Sequence, residues 1–395
     1  MLKICLTDPE WFLIECIRHR DYLNVERLRS LYEKLGDAEA HALCTHNLIV
    51  SLAADAMTCS GLELPEHWRI EFAETAERIG EYMAELDKTA SLLAEHGIPM
   101  LALKNSGIAR ALYPYPGASP MGDIDVLVQK QDFRQAHEIL VSHGYVMKFR
   151  SPLEEENLDL ADKGGGAEYS VQLPSGRHLW FELQWRPVAG RWIRPDQEPD
   201  ASVLVQRSVA IPGSRARLLS PEDNLLQVSL HTAKHSYVRA PGFRLHTDVD
   251  RIVRFYGINW DLFSERVEQL QVRTAVYLSL AFAQELLGTP VPAAVLSRLA
   301  PARWKVRLMS AWLQRVGLFD ADGPKWGRLG YIVFVSLLYD DLGGFMSGIF
   351  PNRKVIAERH GIHSWTGMLM FYAKRLASLA FRRTLVHKAK GKIKA

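Results

Sequence analysis

After Gly97 and Pro99 the helical spacing of apolar residues gives way to short strand-like runs with helices between them, and Gly122-Asp123-Ile124-Asp125-Val126-Leu127-Val128 alternates with two aspartates on one side. Successive side chains of a strand point to opposite faces. Asp123 and Asp125 therefore project together, while Ile124, Val126 and Val128 fill the other face. Two carboxylates side by side repel, and burying them unpaired costs on the order of several kcal/mol. A divalent cation resolves the conflict, and hard oxygen ligands at this spacing suit Mg²⁺, with Mn²⁺ as a substitute, completed by phosphates and water. For D-x-D alone, an edge strand with an exposed acidic face is the competing explanation.

A second pair of strands bears on that choice. Glu168 to Leu173 and His178 to Trp185 flank Pro174-Ser175-Gly176-Arg177, which has the turn chemistry of a hairpin. In the second strand Trp180, Glu182 and Gln184 share one face, and Leu179, Phe181 and Leu183 the other. A Glu between apolar and aromatic neighbours is an awkward strand resident unless its carboxylate has a task. If this strand lies beside the Asp123 strand, three carboxylates converge, as metal-assisted phosphoryl transfer requires.

The surrounding chain reads as helix, with apolar spacing through Trp11, Leu13, Ile14, Ile17 and through Leu43, Leu48, Ile49, Leu52. A long amphipathic helix is predicted from Trp68 to His96, stopped by Gly97 and Pro99. Then come a strand at Met100–Leu103, a helix at Ile108–Tyr113, the Asp123 strand, a helix from Phe133 to His143 capped by Asp132, and a strand at Tyr145–Phe149. Gly164-Gly165-Gly166 reads as a mobile loop. Ser220-Pro221-Glu222-Asp223 starts a helix, and others are expected near Leu262–Leu287, Pro292–Leu299 and Trp304–Arg315. This order predicts an α+β protein: a helical region over 1–84, a small mixed sheet packed on helices over 85–215, and a helical domain with a basic tail over 216–395.

Among the 395 residues the net charge of +3 is too small to argue for a nucleic-acid partner. No acidic residue follows Glu358, whereas Lys374, Arg375, Arg382, Arg383, Lys388, Lys390, Lys392 and Lys394 do. Such a tail could touch phosphates or an anionic surface, or be a solvated helix end. The four cysteines form no C-x-x-C pair, the amino terminus lacks the long apolar run of a signal peptide, and the most apolar stretch, Tyr331 to Tyr339, is too short to span a bilayer. A cytoplasmic protein without a transmembrane segment is expected.

At these residues the chain resembles the bacterial uncharacterised nucleotidyltransferase family of the DNA polymerase β-like nucleotidyltransferase superfamily. The shared pattern is read in Leu103-Lys104-Asn105, Tyr113-Pro114, Ser119-Pro120-Met121-Gly122-Asp123-Ile124-Asp125, Glu182-Leu183-Gln184-Trp185, Ser220-Pro221-Glu222-Asp223 and His231-Thr232-Ala233-Lys234-His235, with Asp248 as a downstream aspartate. The resemblance implies a polymerase β-like sheet and transfer of a nucleoside monophosphate from an NTP. It implies metal binding by Asp123 and Asp125, with Glu182 completing the acidic site, and triphosphate contacts from Lys104 and Lys234. Asn105-Ser106-Gly107 stands where the superfamily cradles phosphates on a helix N-terminus, and Gly122 borders the site. The acceptor is a hydroxyl of a small molecule, peptide or nucleic acid and is not indicated further; the family's setting near peptide-tailoring and polysaccharide-export genes is compatible with either context.

Three positions depart from the pattern: Asn105 for a glycine, Ser119 for an arginine and Gln184 for a histidine. They leave the carboxylates intact but make a catalytically decayed nucleotide- or peptide-binding module the main rival. A D-x-D glycosyltransferase is a further one. His231 and His235 lie one helical turn apart, a zinc-like spacing, but helix packing is the simpler explanation. Asp248 and Asp250 are expected to pair with Arg244 and Arg251, and Trp304, Trp312, Trp326 and Trp365 to be core or interface residues.

Overall fold

The alternating segments do assemble into one sheet. The computed structural model describes residues 5–113, 115–151, 155–187, 199–237, 242–319 and 328–377. Its strands are β1 (Leu101–Leu103), β2 (Asp123–Leu127), β3 (Val146–Met147), β4 (Gly166–Gln172), β5 (His178–Gln184), β6 (Val209–Ala210) and β7 (Arg217–Leu218). They lie in the order β3-β4-β5-β2-β1-β7-β6. β2 runs parallel to β5 and β1 to β7, and the remaining neighbours are antiparallel, so the sheet is mixed.

Helices α1 (Asp8–Ile17), α2 (Val25–Leu35), α3 (Asp37–His46), α4 (Val50–Cys59) and α5 (Glu66–Glu95) precede the sheet. Between its strands run α6 (Lys104–Leu112), α7 (Phe133–Ser142), α8 (Leu158–Gly164) and α9 (Ala201–Gln206). After it come α10 (Pro221–His235), α11 (His246–Phe255), α12 (Trp260–Gln269), α13 (Arg273–Leu287), α14 (Ala293–Leu299), α15 (Arg303–Val316), α16 (Arg328–Leu337), α17 (Leu342–Ile349) and α18 (Arg353–His360). Residues 365–377 are also helical. The α+β class expected from the alternation is what the chain adopts.

The two sheet faces differ in kind. Ala102, Ile124, Val126, Tyr169, Phe181 and Leu183 pack on Ile79, Leu86 and Leu93 of α5 and on Phe133, Ala136 and Leu140 of α7. Among the described residues the other face carries a small apolar cluster, Leu101, Leu103, Leu127 and Leu219 with Ala201 and Leu204 of α9. Beside that cluster lie the acidic positions. A third and larger core joins the amino-terminal helices α1 to α4 to α10, α11 and α13, through residues such as Phe12, Met57, Leu225, Ile252 and Phe282.

Several expectations are corrected. Gly164-Gly165-Gly166 is no mobile loop: Gly164 ends α8, Gly165 caps it in the left-handed region at φ +104°, and Gly166 begins β4. A side chain at Gly165 would collide with that of Arg186, so the run serves a tight helix-to-strand junction. The helix foreseen over Leu262–Leu287 is two, α12 and α13, with Gln271 between them at φ +55°. The helix after β1 begins at Lys104, not Ile108. Asp132 stands at the start of α7 but its side chain makes no cap bond, because a 3₁₀ turn at Lys130–Asp132 holds its backbone in the helical region. Ser220 does cap α10, accepting from the Asp223 N–H.

Trp312 packs on Phe334, whereas Trp304 and Trp365 are exposed and so are not core residues. Trp326 and the tail from Arg382 to Lys394 lie outside the described residues. Among the described residues, no helix is long and apolar enough to cross a membrane.

Candidate active site

Register decides what meets at the acidic face. Asp125 is opposite Glu182 across the parallel β2–β5 pair, and Asp123 is opposite Trp180. Continuing across the hairpin, Glu182 is opposite Glu168 of β4. Residues opposed in a ladder point the same way, so Asp125, Glu182 and Glu168 form a row across three strands with Asp123 two residues along. Asp125 is only 6% exposed, and Asp123 and Glu182 are half-buried. The three carboxylates expected to converge are therefore on one face and adjacent.

Two cations enter this row. Lys104 follows directly on β1, and its Nζ stands 2.6 Å from Asp125 Oδ1. Its backbone is at φ +50°, an uncommon conformation for a residue with a side chain, and its N–H is held by Gln227 Oε1 of α10 at 3.3 Å. Arg150 reaches in from beyond β3, donating from Nη1 to Asp123 Oδ2 at 2.5 Å and from Nε to Glu168 Oε2 at 3.2 Å. Its Nη2 lies 3.7 Å from Glu182, and its guanidinium lies 5.7 Å from the centre of the Trp180 ring. Gln184 adds a hydrogen bond from Nε2 to Asp125 Oδ1 at 3.1 Å, while its own Oε1 is buried without a partner.

The electrostatics follow from four acids facing two bases. Burial, then the charge of Asp125, pushes the Glu182 carboxyl up to about 8. The same two causes raise Asp123, although Arg150 opposes them. Asp125 moves the other way: burial would raise it, but Lys104 and hydrogen bonds hold it below the usual carboxylate range. Burial likewise works against the Lys104 ammonium, and Asp125, Glu182 and Asp123 outweigh it and keep it charged. The cluster is short of positive charge, and Glu182 absorbs the deficit as a proton.

The other expected residues divide. Ser106 Oγ donates to Leu103 O at 2.6 Å, lies 3.1 Å from Asp125 O, and accepts the Asp125 N–H at 3.3 Å. Its hydroxyl is thus spent on fixing β2 against β1. Gly107 is a packing glycine, since a Cβ there would stand 2.5 Å from Ala102 O. Asn105 Oδ1 is buried without a hydrogen-bond partner, leaving it the side chain in this trio with unused bonding capacity. Gly122 is exposed, with nothing near where a Cβ would be.

Lys234 lies on α10 one turn from His231. Burial, then the Lys104 charge, pushes His231 down to about 3, so its imidazole is neutral. The His231 and His235 rings pack at 4.7 Å. Ser119 is buried and bonded to Tyr113. Arg244 lies near, donating to Pro120 O at 3.1 Å and feeling the charge of Asp123.

Among the described residues, no three or more His, Cys, Asp or Glu side chains stand in a ready arrangement for a metal ion. At the acidic row the contacts explain this: Asp125 is turned to Lys104 and Gln184, and Asp123 to Arg150. Arg150 and Glu168 were not expected. Glu168 could have been found by counting hairpin register back from the turn; Arg150 carries no such signal.

A family model described as uncharacterised nucleotidyltransferase matches residues 38–288, well over half of the chain and all of the sheet. No match was found among curated proteins or among solved structures.

Proposed function

This chain belongs to the uncharacterised nucleotidyltransferase family, and from that premise we propose that it moves a nucleoside monophosphate from an NTP to a hydroxyl-type acceptor, releasing pyrophosphate, at the Asp123–Asp125–Glu182 row. The small mixed sheet flanked by helices is consistent with a polymerase β-like nucleotidyltransferase. The observation that carries the reading is the β2–β5 register, which sets Glu182 beside Asp125.

The donor set fits Mg²⁺ or Mn²⁺ in kind: hard oxygens, more acids than bases, and a Glu182 carboxyl lifted to about 8 by burial and a neighbouring anion. Asp123, Asp125 and Glu182 are the residues that would hold the ion. When bound, it would neutralise the triphosphate and acidify the attacking hydroxyl.

The chain's own residues have separable roles. Lys104 offers a charged side chain, not its backbone N–H, which Gln227 already engages; a phosphate oxygen can replace Asp125 as its partner. Asn105 supplies an unused polar side chain at the same helix start. Arg150 provides the planar fork that suits phosphate oxygens, in place of the arginine that Ser119 replaces. Glu182 is the candidate proton acceptor, in its carboxylate form. Lys234 adds charge from α10. The catalytic unit would span 85–215, between the helical stretches 1–84 and 216–395.

Incubating the chain with labelled NTPs, Mg²⁺ and cell extract tests the reading. Label transfer with pyrophosphate release is expected from the wild type and not from Asp125→Ala; transfer surviving that change removes the proposed role. The engaged state of Asp123 and Asp125 favours one rival, a nucleotide-binding module without turnover. Calorimetry showing tight Mg·NTP binding with no pyrophosphate released would select it.

A further inference from the structure

The last third of the chain leaves two neighbouring helices with apolar faces uncovered. α17 has no charged residue, and Leu342, Met346 and the capping Phe350 recur at four-residue spacing on its exposed side, Leu342 being 76% exposed. In the helix at 365–377, Trp365, Leu369, Ala373 and Leu376 recur at three- or four-residue spacing, with Trp365 70% and Leu369 64% exposed and Met370 next to Leu369 at 59%. Residues so spaced share one face, and in a surface helix that face is normally the buried one. Here the buried side is already supplied by Met368.

The two helices are fastened to one another. Arg375 Nη2 donates to Gly348 O at 2.7 Å, Tyr372 Oη donates to Pro351 O at 2.7 Å, and the Phe350 and Tyr372 rings meet at 5.6 Å. Their uncovered residues therefore belong to one region. Contiguous apolar patches of this kind mark binding surfaces.

Charge points to the occupant. From Leu342 to the last residue the chain has eleven Lys or Arg and a single acid, Glu358. Lys354 and Lys374 are exposed within the described part. A protein surface would need a matching acidic rim around an apolar centre. An anionic lipid surface offers apolar depth and a continuous sheet of negative charge together, which is what a basic amphipathic helix engages. We infer that α17 and the helix at 365–377 form a docking face for an anionic lipid surface, favoured by the basic sequence of this part of the chain. The helices lie on such a surface and do not cross it, and the nucleotidyl-transfer site would work beside the membrane.

Co-sedimentation of the full chain with vesicles tests this independently of any transfer activity. Vesicles of phosphatidylcholine plus phosphatidylglycerol should carry down at least about tenfold more protein than phosphatidylcholine alone. Binding should weaken at about 0.5 M salt, where the screening length falls to roughly 4 Å. Trp365→Ser with Leu369→Glu should abolish it without altering the circular dichroism spectrum, since both positions are exposed. Lys390→Glu with Lys392→Glu should weaken it and leave the apolar face intact. Absence of binding to anionic vesicles, or equal binding to both kinds, would overturn the inference. So would a concentration-dependent dimer that the Trp365/Leu369 double variant dissolves, because the face would then be an interface between copies.

Discussion

Strand β2 and helix α11 each carry two aspartates separated by one aliphatic residue, Asp123-Ile124-Asp125 and Asp248-Val249-Asp250. Both pairs are largely buried, yet they behave differently. On the helix, residues two apart point to different sides, so the two acids face different neighbours and share only Arg251. Asp250 takes Arg254, one turn on, at 2.8 Å, Arg251 at 3.5 Å and the Thr289 hydroxyl at 2.7 Å. Asp248 faces Arg244, Arg251 and the Tyr113 hydroxyl. On the strand the two acids face the same way, Glu182 and Glu168 join them, and two cations serve four carboxylates. The same three-residue motif is a satisfied structural element in one geometry and a charge-deficient site in the other. Secondary structure, not composition, makes the difference.

The largest expected contrast is in activity. Asp125→Asn should cut nucleotidyl transfer at least about 10⁴-fold, near 5 kcal/mol of barrier, with an unchanged circular dichroism spectrum; a variant retaining a tenth of wild-type transfer would place the two motifs on the same footing. Asp250→Ala should do the reverse. It removes the buried carboxylate that Arg254, Arg251 and the Thr289 hydroxyl share and should cost roughly 3 kcal/mol of stability in denaturant titration, with transfer per folded molecule unaltered. Loss of transfer at full stability would make the helical motif functional and end the comparison.

A pH series sharpens it. Burial lifts Asp248 to about 6 despite Arg244 and Arg251. The folded state then binds this proton more tightly than the unfolded chain, so the Asp248 contribution to stability is full below about pH 4 and is lost as pH rises through 6. In Asp248→Asn that slope, up to about 3 kcal/mol by linkage, should vanish from urea midpoints taken across this window. The smallest effect concerns Arg150, which is partly exposed. Arg150→Gln removes a competing cation, and Mn²⁺ should bind the nucleotide-free chain a few-fold more tightly by calorimetry, about 1 kcal/mol. Unchanged affinity would mean that Arg150 only braces β3 and β4.

The sheet and its acidic face were legible because strand alternation is local: Asp123, Asp125 and Glu182 each announce their face from immediate neighbours. The long helix α5 and the capped start of α10 were legible for the same reason. What escaped depends on pairing between distant segments. Arg150 reaches the site only because the Lys148 N–H bonds to Glu168 O, laying the end of β3 along β4. β6 and β7 are two residues each, too short for a period to show. Ser106 and Gly107 were expected at phosphate, and the contacts that occupy them, Asp125 and Ala102, become visible only once α6 is folded back on β1 and β2.

The most direct measurement is the electron paramagnetic resonance of Mn²⁺ titrated into the chain with a non-hydrolysable NTP, for wild type, Asp123→Asn, Asp125→Asn and Glu182→Gln. If the carboxylates of β2 and β5 share a cation, the wild type should bind Mn²⁺ stoichiometrically and each variant should weaken it, Asp125→Asn most. Binding that is absent from the wild type, or equal in all four proteins, would contradict it.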